Sequence, residues 1–163
     1  MEQRLELGFD ALTGALARID EMPPSERFAP LAEALLWVCI LNDAFYSEDE
    51  EQGTGYKDSR DQDTHGSTLE GLRYARHRLV HDIRVYGMHG AISQSNTLGT
   101  AALGLSPLGG GSTMSWRWRD VAQLDPAHDR SGEPVYRERL EGREVGPTLQ
   151  AAFDFLEAWH RKR

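Results

Sequence analysis

The apolar residues of the first twenty positions leave this chain little choice of fold. Leu5, Phe9, Leu12, Leu16 and Ile19 follow one another at intervals of four, three, four and three. That spacing lays them along one stripe of an α-helix, which Met22-Pro23-Pro24 then ends because proline lacks the amide proton a helix interior needs. A second helix is expected from near Pro30, tolerated in a first turn, to about Tyr46. Leu31, Leu35, Val38 and Phe45 repeat the stripe, and Leu36, Trp37 and Ile40 make this helix apolar on nearly all sides. A helix of that kind is central in its fold or covered by a partner chain.

Residues 47–67 lack periodicity and carry a net charge of −5, so they are expected to form a solvated loop. Ser67 or Thr68 is expected to cap a third helix, and Gly87 and Gly90 to end it. Leu72, Leu79, Ile83 and Tyr86 supply its stripe, with Arg76 in the same register. The glycine- and serine-rich residues 91–112 are expected to be a flexible connector. Residues 114–119, MSWRWR, alternate with period two and predict a short strand. Met114, Trp116 and Trp118 lie on one side, a packing face, and Ser115, Arg117 and Arg119 on the other. A short helix is bracketed by Pro134 and Gly142. A last one starts at Pro147 and buries Leu149, Ala152, Phe153, Leu156 and Trp159. The expectation is an all-α, up-and-down helical bundle with a small β element after residue 110, folded as a single domain over 1–163.

With 39% hydrophobic and 27% charged residues in 163, the composition is that of an ordinary soluble domain able to bury a core. The lone Cys39 makes no internal disulfide and suits a reducing compartment. The longest unbroken apolar run, residues 34–41, is far short of the roughly 20 needed to span a bilayer, and the acidic start is unlike a signal peptide. A soluble, cytoplasmic protein without a membrane partner is therefore expected. The net charge of −8 opposes nucleic acid on average, so any such contact must be local.

A local contact has one obvious seat. Residues 71–87 hold Arg73, Arg76, Arg78 and Arg84 against the single acid Asp82, a segment of +3 in a chain of −8. On a helix, Arg73, His77, His81 and Arg84 share one face with Arg76 on its flank. Such cations repel one another unless an anion relieves them, and phosphate is a natural choice. RNA supplies phosphate together with a 2′-hydroxyl whose proton an imidazole of ordinary pKa, about 6.5, can accept. The same helix read structurally is a solvated basic face paired with acids of residues 47–67. His77 and His81 also have the spacing of a metal chelate, but four arginines oppose a cation, so no metal and no cofactor is expected. Residues 61–66, DQDTHG, resemble the start of a calcium loop, which fails because Leu72 stands where its last carboxylate belongs.

Arg76 and His81, with four residues between and the polar His77 following the arginine, resemble the R-x4-6-H motif of the HEPN superfamily. Members are α-helical bundles, many of them metal-independent endoribonucleases that serve as toxins or anti-phage effectors, with composite sites formed across a homodimer. The resemblance implies that Arg76 stabilises the scissile phosphate, that His81 is the general acid/base, that His77 supports them, and that the product is a 2′,3′-cyclic phosphate. It also implies an antitoxin or immunity protein as a partner. Ile83 stands where some members carry a tyrosine used in neutralisation. Arg73, Arg84, Arg117 and Arg119 are the expected RNA contacts. The other reading is a catalytically inactive helical dimer that binds RNA or protein.

Overall fold

In the computed structural model, residues 2–81, 85–91, 113–124 and 130–162 are described, with the backbone alone at 80, 81, 88–91, 113 and 114. The flexible connector expected over 91–112 lies almost wholly outside them, as do Ile83 and Arg84. The described chain is an all-α helical bundle with one small sheet. Its helices are α1 (Glu2–Glu21), α2 (Phe28–Gln52), α3 (Tyr56–Gln62), α4 (Leu69–His81), α5 (Glu133–Arg139) and α6 (Val145–Lys162). The strands β1 (Tyr86–Ala91) and β2 (Thr113–Trp118) pair antiparallel between α4 and α5.

The stripe of α1 is buried as its spacing requires, from Leu5 to Ile19. It packs on α2, which also meets α3, α4 and α6 and is therefore the central helix. This accounts for the breadth of its apolar surface. By length and composition alone, α2 is the one described helix that could cross a membrane, and half of the qualifying window is buried inside the protein, as in a core helix. Leu36 and Ile40 remain exposed. The helix outlasts its expected end near Tyr46 because glutamates at 48, 50 and 51 favour helix, and it stops at Gly53, whose φ of 63° is the left-handed conformation that glycine supplies at a helix end.

Residues 47–67 are accordingly not a loop. They hold the end of α2, all of α3 and a 3₁₀ turn at Gly66–Thr68. Asp49 makes α3 possible. One of its carboxylate oxygens accepts from Gly55 N at 2.6 Å and Tyr56 N at 3.2 Å, the other from Lys57 N at 3.0 Å. Those amides are donors a helix start leaves unsatisfied, and they hold the Asp49 carboxyl below its ordinary pKa, Lys57 first. Tyr56 then pins the helix: fully buried, it packs its ring 5.5 Å from that of Phe45 and 5.4 Å from that of Trp159.

The third expected helix is also shorter than its pattern. α4 ends at His81, and Tyr86 belongs to β1, opposite Trp118. Gly87 and Gly90 therefore lie within a strand instead of terminating a helix. β2 covers the expected residues except Arg119, which follows it, and its tryptophans face the bundle. Trp116 Nε1 donates to Pro24 O at 2.7 Å, and the ring of Trp118, 1% exposed, stands edge-on to Tyr86 and Tyr136. Losing an aromatic of this size from a core typically costs about 3–5 kcal/mol, so the small sheet is built into the fold. α6 starts two residues before Pro147, at Val145.

Candidate functional site

Three of the residues singled out on the cationic helix meet in one pocket of about 360 Å³. From α4 come Glu70, Arg73, Tyr74, Arg76 and His77, three and four positions apart and so on one side of the helix. Arg73 and His77 are exposed and Arg76 is half-buried. The facing wall is α2, which supplies Asn42 and Tyr46 one turn apart, and Ser131 ahead of α5 closes one side. Ser131 is placed by Gly132, whose φ is 77° and whose backbone passes so near Glu70 O that a Cβ would lie 2.6 Å from it.

The remaining wall is Arg60 of α3. It stands one turn beyond the anchored Tyr56, with its guanidinium carbon 5.5 Å from the centre of the Tyr46 ring and Nη2 2.7 Å from Asp61 Oδ1. Lys57 sits over the same ring at 4.1 Å. Beneath the pocket, Tyr56 Oη donates to Asn42 Oδ1 at 2.9 Å, both groups buried. This bond fixes α3 against α2 at the depth of the pocket floor.

Among the described residues, three guanidiniums and the Glu70 carboxylate border the cavity, with Asp61 paired to Arg60 and Asp43 to Arg76, in a protein whose total charge is −8. Arg76 is only loosely neutralised: its Nη1 lies 3.9 Å from Asp43 Oδ2, and a third of its side chain is open to solvent. Its charge also reaches inward to Cys39, whose thiol burial pushes up to about 12 against the opposing influence of Arg76. Arg78 is different. It is 3% exposed, and its charge lies near Tyr74 and Tyr136, so of the arginines on α4 this one is turned into the protein.

Arg117 and Arg119 do not border this pocket. Arg117 donates to Gly142 O at 2.8 Å and pairs with Glu144 at 3.2 Å, while Arg119 follows β2, its guanidinium packed against Gly87. His81 closes α4 one turn beyond His77, its side chain outside the described residues, and Arg84 lies outside them altogether. Sequence reasoning missed Arg60, Glu70, Asn42 and Tyr46. For Arg60 the usable signal was Gly53-Thr54-Gly55 after a run of helix formers, which marks a helix end and a new start. Among the described residues, no three His, Cys, Asp or Glu side chains gather in a metal-binding arrangement.

No protein-family model, no curated protein and no solved structure matches this chain.

Proposed function

We propose that the protein is a HEPN-like, metal-independent endoribonuclease that cleaves RNA through its own 2′-hydroxyl to a 2′,3′-cyclic phosphate, acting in the cytoplasm as a toxin or anti-phage effector. The observation that carries this reading is the convergence of Arg73, Arg76 and His77 of α4 on one polar pocket, with a third of the Arg76 side chain open to solvent and its Nη1 only loosely paired with Asp43 at 3.9 Å. Arg76 binds and stabilises the scissile phosphate, whose negative charge grows in the transition state. His81 exchanges the proton, and His77 supports the pair. The enzyme works as a homodimer. Leu36 and Ile40, exposed one turn apart on α2, offer an apolar seam that leads to Asp43 and hence to Arg76. An antitoxin or immunity protein is the natural restraint on such an activity.

The test is cleavage of end-labelled RNA by the purified chain in EDTA. Fragments ending in a cyclic phosphate are expected, with DNA of the same sequence untouched. Arg76→Ala and His81→Ala are each expected to lower the rate at least about a hundredfold, the scale of a lost acid–base or charge-stabilising group, without changing the circular dichroism. Unchanged cleavage by both variants would refute the reading. The same exposed apolar residues favour a second reading, an inactive dimeric module that binds RNA or protein; a mobility shift without fragments selects it.

A further inference from the structure

We propose that the pocket between α2, α3 and α4 is a phosphate subsite for a single unpaired nucleotide, and that Arg60 of α3 is its second-wall phosphate ligand. This rests on the nuclease reading for its biological substrate but makes a separate claim. The residues that resemble a known motif all lie on α4, whereas Arg60 comes from a different helix that no motif marks.

The argument begins with geometry. Arg73 and Arg76 approach the cavity from α4 and Arg60 from α3, so an anion inside is held from two walls. Phosphate suits three guanidiniums because each can donate two parallel N–H bonds to its oxygens. Arg60 is also the most enclosed of the three. Its side chain is only 14% exposed, its guanidinium lies across the Tyr46 ring, and Asp61 Oδ1 holds its Nε at 2.8 Å and its Nη2 at 2.7 Å, which leaves the Nη1 end for an anion. A guanidinium so confined loses little freedom when it binds.

Size then selects the ligand. About 360 Å³ is at the small end of the roughly 300–1,000 Å³ range of small-molecule sites. It takes one nucleotide and not a helix of RNA, so the strand must present an unpaired residue here, the state in which bases are free to leave a stack.

Calorimetry on the full chain with adenosine 3′-monophosphate tests this without any cleavage. Binding is expected, with inorganic phosphate competing and adenosine alone failing to bind. Arg60→Ala is expected to weaken the nucleotide at least about tenfold. Arg60→Lys keeps the charge but loses the two-pronged donor, and is expected to weaken it as well; thermal melts of both variants separate this from unfolding. Equal affinity for nucleotide and nucleoside, no competition by phosphate, or wild-type affinity in a folded Arg60 variant overturns the proposal. Those results leave RNA cleavage by the α4 residues standing. Nucleotide binding that depends on Arg60, in a protein that never cuts RNA, does the reverse.

Discussion

Cys39 sits one turn before Asp43 on the central helix, 1% exposed, with the charges of Arg76 and Arg73 close enough to act on it. Burial dominates and holds the thiol protonated up to about 12, against about 8.5 in an unfolded chain. The folded state therefore keeps a proton that the unfolded state gives up. The stabilisation this represents is complete below about pH 8.5 and drains away as pH climbs toward 12. The buried phenols of Tyr56, Tyr86 and Tyr136, raised by the same cause, add a parallel loss at higher pH. Between pH 8.5 and 10 the cysteine effect is separable. Urea midpoints of the wild type should fall over that interval more steeply than those of Cys39→Ala, and iodoacetamide should label Cys39 only after denaturation, as read by mass spectrometry. Rapid labelling of the native protein would contradict this account.

At the scale of elements, α3 depends on a carboxylate donated by its neighbour. Asp49→Ala leaves the amides of Gly55, Tyr56 and Lys57 without their acceptor. Faster hydrogen exchange over 56–62 is expected, with little change in α1 or α6. Acid should reproduce the effect. The Asp49 carboxyl is held below its ordinary value, so its contribution is present above about pH 3.9 and is lost as the pH drops further. Exchange in 56–62 that ignores both changes would show that Tyr56 alone anchors the helix. This dependence also explains what the sequence concealed. The stripe of α1, most of that of α6 (where Phe155 is buried and the expected Phe153 and Trp159 only partly so) and the alternation of β2 were legible because each element buries one face against a large core, and burial imprints a period. α3 is seven residues with Tyr56 as its only buried side chain, and its stability comes from a contact made across a turn. β1 was hidden for a similar reason. Residues 86–91, YGMHGA, alternate weakly, and it is the pairing with β2 that makes them a strand. Three of the nine lining residues, Arg73, Arg76 and His77 on α4, could thus be read from spacing, while Arg60 could not.

The molecule as a whole is a negatively charged body, −8 in total, with a small cationic recess. A surface of that sign repels polyanions on average, so the contact proposed for the recess has to be made at short range, where screening matters least. Helices α1 and α6 are also joined. His160, near the end of α6, stacks on Phe9 of α1 with ring centres 5.0 Å apart and an angle of 24°, and lies 6.2 Å from Phe45 of α2. Removing residues 160–163 withdraws that ring from both helices. A stacked pair is worth about 0.5–1.5 kcal/mol, which for a chain of this size moves the melting temperature by a few degrees. Calorimetric scans of the shortened protein should show that fall; an unchanged melt would mean the stack is ornamental. Damage to the last turn of α6 is in this architecture felt in α1, some 150 positions earlier.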